Sequence, residues 1–480
     1  MSTTLKWYIH VAISLCFMFF FRFIPAPEPM TPLGMTVLGI FIGCIYGWCT
    51  TNLIWPSLAG LIVFGFTGFT TPTAAWGTLM SNGTVALALW LMIAVGLLNN
   101  TGLTQYLANW SITRRFTQGK PWTLITVVYI AAIICASIIN SIGTILIFWP
   151  LLWAITEQVG WKKGDKAPAW MCFSIVLLTT TASFIMPFQL AVVSNFGFLA
   201  AGSGGAYDGS FNYTAYLAFT IILQIIILIV YMLLSKFILR VDLSNLANYV
   251  PESYDVEKFT KKQKIGILLF VLLFLLLMAP SFLPQGFAVQ VFTNTLGSVG
   301  ACLLVVAIAC CIHVDGEPFV EFGDLFSKNV NWGVILLFGT ALTIATCINN
   351  DASGIILWVK ELLNPLLGGL SPLMFVIVFM AIAMFITNLI NNVVVSAIMV
   401  PISWTFSTAL GLNPIAVVAC FILFVDFAIF LPSASPSGAM MHSSNGWIPK
   451  GLLYKYAAIT LVMLFVVSIA VGWPLSNALF

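Results

Sequence analysis

Long apolar stretches separated by short polar interruptions run the length of the chain. Runs near 7–25, 33–69, 84–108, 214–239, 265–283, 290–312, 331–348 and 452–473 have lengths near the roughly 20 residues that a helix needs to cross a bilayer. They predict an all-α polytopic membrane protein. Two other segments, 122–158 and 372–410, are each about two helices long but carry polar residues at their centres, Asn140-Ser141 in one and Asn391-Asn392 in the other. Each reads as a re-entrant hairpin. The segments that follow, 169–200 and 413–446, read as helices broken near the middle, at Pro187 and across Pro432 to Gly438. Backbone groups freed at membrane depth must be satisfied by protein, water or ligand, so broken helices here mark a candidate site. The expected architecture is about 11 transmembrane helices plus the two hairpins.

The polar landmarks recur in order. Asn99-Asn100 returns as Asn349-Asn350, and at a separation of 251 the pairs Ile139/Ile390, Asn140/Asn391, Pro150/Pro401 and Trp153/Trp404 align without gaps; Pro187 pairs with Pro436 at 249. Internal repeats of this kind place a transporter's binding site at their interface. The first hairpin is flanked by basic residues and so opens to the cytoplasm. Five spans then separate it from the second, which opens outward, so the repeats are expected to be inverted.

Composition agrees with a membrane class: 61% of the 480 residues are hydrophobic and 7% charged, against roughly 25% charged in soluble domains. With the N-terminus inside, Arg114, Arg115, Lys120, Lys162, Lys163, Lys166, Lys236, Arg240, Lys258, Lys261, Lys262, Lys264, Lys328, Lys450 and Lys455 all fall in cytoplasmic loops, and Arg22 and Lys360 fall outside. This is the positive-inside pattern. The loop Ala201 to Tyr213 is expected outside and holds no Lys or Arg, and the C-terminus ends outside the cell membrane. The first apolar run lacks a small-residue cleavage site and is read as a retained span. The net charge of +3 is explained by this topology and asks for no acidic or nucleic-acid partner. The ten cysteines, with no Cys-x-x-Cys among them, read as packing residues.

These landmarks resemble the divalent-anion/sodium symporters of the ion transporter superfamily, from Phe23-Ile24-Pro25-Ala26-Pro27 through both hairpins to Val471-Gly472-Trp473-Pro474. The sharpest match is Leu431-Pro432-Ser433-Ala434-Ser435-Pro436-Ser437-Gly438-Ala439, where that family has a Pro-x-Ala-Thr-Pro-Pro-Asn-Ala type of break. The resemblance implies an elevator motion, a homodimer, Na+ or H+ as coupling ion with no other cofactor, and a small anionic solute. It also implies a substrate site built from Asn140, Ser141, Gln189, Asn391, Asn392, Ser435, Pro436 and Ser437. Sodium ligands carry over to Thr387, Ile390, Asn392 and Ala434 at the second tip and to Asn140 at the first. The family's tips read Ser-Asn-Thr; here they are Asn140-Ser141-Ile142 and Asn391-Asn392-Val393, and Ala136 stands where a serine hydroxyl would serve.

Asp426 is the acid placed deep in a span, at a cost of roughly 2.5 to 3.5 kcal/mol on insertion scales, and is the expected coupling residue. Half-helix N-termini at the tips and breaks would offer N–H groups to an anion. His442 lies just beyond the second break, and a lone His on an apolar helix is more often structural. The expected division is scaffold 1–110 and 265–360, transport 121–240 and 371–480, and a polar linker 241–264. The function expected is cation-coupled transport of a di- or tricarboxylate or a sulfate-like oxyanion. A cation/proton antiporter or an anion exchanger is the alternative. A membrane enzyme is disfavoured, since His10, His313 and His442 gather no catalytic cluster.

Overall fold

A computed structural model describes residues 3–99, 101–251, 258–348, 350–367, 369–432 and 434–480, nearly all of them helical. Asn100 and Asn349, two of the four asparagines in the first repeat signal, lie outside the described residues. The first half contains α1 (Thr3–Phe20), α2 (Pro32–Thr50), α3 (Ile54–Phe64), α4 (Pro72–Ser81), α5 (Gly83–Asn99), α6 (Leu103–Ile112), α7 (Pro121–Ile138), α8 (Ser141–Gln158), α9 (Lys166–Ala182), α10 (Leu190–Gly202) and α11 (Tyr213–Phe237). The second contains α12 (Lys261–Phe282), α13 (Ala288–Cys311), α14 (Phe322–Asn329), α15 (Trp332–Ile348), α16 (Ile355–Leu367), α17 (Pro372–Thr387), α18 (Asn392–Ala409), α19 (Pro414–Asp426), α20 (Pro436–His442), α21 (Lys450–Val467) and α22 (Trp473–Leu479). A two-residue antiparallel β pair, His313–Val314 with Glu317–Pro318, follows α13.

Local chemistry sets the helix starts. Thr31, Thr71, Ser371 and Asn413 each precede a proline and cap the helix that it opens, accepting from the backbone N–H of Gly34, Ala74, Met374 and Ile415. A side-chain oxygen at the cap with proline in the first turn satisfies one exposed donor and removes another. At α12 the Thr260 hydroxyl takes the Gln263 N–H while the Gln263 side chain takes the Thr260 N–H. This reciprocal cap begins the helix at Lys261, so the last residues assigned to the linker belong to α12.

Eight described helices are long and apolar enough to cross a membrane, up to ten if each of two bent pairs counts as one span, with four shorter apolar helices besides. The bent pairs are α4 with α5, at 57°, and α14 with α15, at 65°. α13 is not straight either: Gly297 has φ 65° and ψ 172°, a conformation open to glycine and strained for other residues. The chain is thus a polytopic all-α membrane protein.

Helices α1, α2 and α3 pack together, α3 and α2 against α15, and α5 against α12 and α13. A second group forms where α7 and α8 pack on each other and on α9, and where α10 lies against α18 and α19. The groups meet mainly along α10, which packs on α5 and α15 through Gly197 against Thr84 and through the edge-to-face pair Phe198–Phe338 at 5.2 Å. Six of the ten cysteines are buried and all are unpaired.

Candidate functional site

Two helix pairs pause at asparagines. α7 ends at Ile138 and α8 begins at Ser141, with the Asn140 Oδ1 accepting from the Gly143 N–H at 2.6 Å as its cap. α17 ends at Thr387 and α18 begins at Asn392, with the Asn391 Oδ1 accepting from the Val393 N–H at 2.9 Å. Both α8 and α18 have 18 residues, and Pro150 and Pro401 occupy the same position in them, nine residues after the first. The tryptophans three residues further on each stack on a distant aromatic: Trp153 on Trp447 at 5.4 Å and Trp404 on Tyr207 at 6.2 Å.

The second break shows how irregular backbone is held at membrane depth. α19 stops at Asp426, and α20 starts at Pro436 with Ser435 as its cap. Four carbonyls at the end of α19 and just beyond it meet side chains. Val425 O accepts from the Thr387 hydroxyl at 2.5 Å, Phe427 O from Asn388 Nδ2 at 3.0 Å, and Ala428 O from the Ser435 hydroxyl at 2.5 Å, while Phe430 O lies 3.1 Å from His442 Nε2. Asn388 Oδ1 also accepts from the N–H groups of Ile429 and Phe430, at 3.1 and 2.9 Å. Hydrogen bonds unavailable from lipid are supplied by α17 and α20. Gly438 allows the close approach, because a Cβ there would sit 2.6 Å from Leu431 O.

Asp426 lies in this frame, 7% exposed. Its Oδ1 accepts from Asn392 Nδ2 at 2.9 Å, and its Oδ2 is buried without a partner among the described residues. The Tyr216 hydroxyl, on α11, is also buried and has no partner among the described residues. The described ion pairs, Lys261–Asp315 and Lys328–Asp324, are both exposed and elsewhere. The carboxylate also sits at the carbonyl end of α19, the negative end of the helix dipole.

The first break is held in the same way. Gln189, at the start of α10, donates from Nε2 to Ser137 O at 2.8 Å, and the Thr220 hydroxyl of α11 donates to Ile185 O at 2.9 Å. Phe184 and Phe427 meet edge to face at 6.5 Å, bringing the two breaks together.

The structure therefore joins Asn392 to Asp426, Thr387 and Ser435 to the second break, and Gln189 to the first hairpin. No hydrogen bond joins the tip residues Asn140 and Ser141 to Asn391 or Asn392 among the described residues. Ile390 and Ser141 are half-buried at the tips, whereas Ala434 and Ser437 are buried at the second break. At these helix starts the caps take one donor each, Asn140 that of Gly143, Asn391 and Asn392 that of Val393 and Ser435 that of Gly438, and Pro436 has no N–H; the N–H groups of Ser141, Ile142, Asn392 and Ser437 have no acceptor among the described residues. Sequence reasoning missed Asn388 and Tyr216. The first has a signal, a second polar residue beside Thr387 in an apolar run; the second has none beyond its stripe with Thr220 and Gln224 at intervals of four.

A helical membrane fold with two interrupted hairpins and a buried acid at a break has the features of a membrane transporter. The chain belongs to the CitMHS citrate transporter family, whose match covers residues 36–422. Among relatives, the sodium-dependent dicarboxylate transporter SdcS of Staphylococcus saprophyticus is 29% identical over 164 residues, 32% of this chain and 30% of that protein. An uncharacterized transporter of Methanocaldococcus jannaschii is 28% identical over 179 residues, 37% of this chain and 38% of the relative. The aligned segments thus span about a third of those proteins. The crystal structure of the Alcanivorax borkumensis YdaH transporter superposes with a TM-score of 0.58 over 98% of this chain and 99% of that one, at 16% identity, which shows a shared fold. These matches bear out the resemblance to the divalent-anion/sodium symporters.

Proposed function

We propose that this protein is a secondary active transporter that moves a small anion, such as a di- or tricarboxylate or a sulfate-like oxyanion, with a cation, Na+ or H+, as the driving ion. Its family and its sodium-dependent dicarboxylate relatives support the solute class. The observation that carries the coupling is the bond from Asn392, at the second hairpin tip, to the buried Asp426, whose other oxygen has no described partner. A cation there would neutralise the carboxylate and act on the tip at once. In this reading Thr387, Ile390, Asn392 and Ala434 surround the ion, with Asn140 serving a counterpart at the first tip. The anion sits between the breaks, against Asn140, Ser141, Gln189, Asn391, Asn392, Ser435, Pro436 and Ser437.

The same reading makes the two halves inverted repeats and the segments 121–240 and 371–480 a mobile transport domain. That domain moves as an elevator against a dimeric scaffold of 1–110 and 265–360, in the cell membrane with the N-terminus cytoplasmic and the C-terminus outside. Asp426 also favours a second reading, a cation antiporter. Thermal unfolding of the purified protein separates the two. Stabilisation by citrate, succinate or sulfate that depends on the cation supports symport, and a response to cations that no anion alters supports antiport.

A further inference from the structure

We propose that the Asn392 amide is itself the coupling element: sodium seated on the free oxygen of Asp426 loosens the carboxylate's hold on Asn392 Nδ2 and releases that donor to the transported anion. This rests on the reading above and adds a specific exchange of partners to it.

Three observations carry the exchange. First, Asp426 has room for one more ligand: Oδ1 is held by Asn392, and Oδ2 is buried with no described partner. A buried, unpaired carboxylate oxygen is a costly arrangement that a bound cation relieves. Second, no cation among the described residues supplies that partner. Among the described residues packed on α19, helices α10, α17, α18 and α22 and the π turn Ser468–Gly472 bring no ionisable side chain. α9 brings Cys172 and, at its far end, Lys166, and Cys420 lies on α19 itself; α11, which packs on α22 and the π turn, carries Tyr213, Tyr216 and Tyr231 and, in its last turn, Lys236.

Third, the Asn392 side chain is free to leave. Besides Asp426 it touches the Val393 N–H, through Oδ1 at 3.0 Å, and that N–H is held independently by Asn391 Oδ1 at 2.9 Å. Turning the Asn392 amide therefore strands no backbone donor. Its one side-chain partner is Asp426, and the bond it makes to the Val393 N–H is dispensable. Once sodium shares the charge, the amide needs another acceptor, and an anionic oxygen beside the half-buried tip is the best on offer. The adjacent pair of asparagines then divides the work: Asn391 caps α18 permanently while Asn392 alternates between acid and anion.

Linkage makes the coupling reciprocal, so sodium should raise anion affinity by roughly 10- to 100-fold and the anion should raise sodium affinity by the same factor. The experiment is calorimetric binding of succinate and citrate to the purified full-length chain, in sodium and with choline in its place. The wild type is expected to bind anion tightly in sodium alone. Asp426→Asn removes the charge without changing the shape, so it is expected to bind anion in choline about as tightly as the wild type does in sodium. Asn392→Ala is expected to bind anion weakly in both, while sodium, still held by Asp426 and the rest of its site, raises its unfolding temperature by less than in the wild type.

The proposal is overturned if Asp426→Asn binds anion weakly in choline, or if Asn392→Ala keeps the full gain from sodium. A wild type that binds neither anion in sodium or in choline contradicts the proposed sodium-coupled carboxylate transport instead. A wild type with sodium-dependent binding whose variants behave otherwise sinks this inference alone.

Discussion

Replacing Asn388 by alanine tests how the broken second helix is held. Its side chain makes four hydrogen bonds, donating to Met384 O and Phe427 O at 2.8 and 3.0 Å and accepting from Ile429 N and Phe430 N at 3.1 and 2.9 Å. The Ile429 N–H keeps a second acceptor, Phe427 O at 3.1 Å, so the clear orphan is the N–H of Phe430. An unsatisfied buried donor costs about 1 to 3 kcal/mol, and the remaining bonds add about 1 kcal/mol between them, so the break loses roughly 2 to 4 kcal/mol of local stability. At tenfold per 1.4 kcal/mol, amide exchange at Ile429 and Phe430 should speed up roughly 30- to several-hundred-fold. Hydrogen exchange read by mass spectrometry on peptides covering 425–432 measures it, with the α1 peptide as an internal standard. Unchanged exchange across the break in Asn388→Ala would refute the claim that this side chain organises it.

Three further predictions follow from packing and capping. Thr260→Ala removes the reciprocal cap of α12 and should lower stability by about 1 kcal/mol, read as a fall in the thermal midpoint, with Thr260→Ser recovering most of it. Gly202→Val places a Cβ 2.5 Å from the Pro401 Cα, where α10 meets α18, and should sharply reduce the yield of folded protein by size-exclusion chromatography; Gly77→Ala, with open space around it, should be neutral or mildly stabilising. The parallel stack of Trp153 on Trp447 should give a coupling of about 0.5 to 1.5 kcal/mol in a double-mutant cycle of alanine variants, against zero if the rings are merely neighbours.

The sequence revealed most where polar residues interrupt lipid-length apolar runs, because such residues have no reason to be there except structure or chemistry. Asn140 and Asn391 stand out for that reason and lie between helices, whereas the break expected across Pro432 to Gly438 is displaced: α19 ends at Asp426 and α20 begins at Pro436, so Pro436 to Gly438 are already helical. Changes of direction outside the repeat landmarks were not legible, although polar residues sit at them. The 57° bend between α4 and α5 falls at Ser81-Asn82-Gly83, where Asn82 Oδ1 accepts from the Thr84 and Val85 N–H groups, and the positive-φ Gly297 of α13 follows Asn294 and Thr295, but neither place has the proline or the repeated pair that drew attention to the other breaks. Partner choice was hidden too. Asn391 and Asn392 are adjacent and chemically identical, yet one caps a helix and the other holds Asp426, and the difference depends on where α19 ends beside them. Asn388 was overlooked because its importance comes from backbone groups of residues forty positions away.

The central claim is tested most directly in proteoliposomes containing the purified protein, with radiolabelled succinate, citrate and sulfate outside and an inward gradient of sodium or of protons imposed. The account predicts that one of these anions accumulates above its equilibrium level while the cation gradient lasts and that accumulation stops when an ionophore collapses it. If no anion accumulates under either gradient while sodium and protons exchange across the same membranes, coupled anion transport is contradicted and the chain is a cation antiporter.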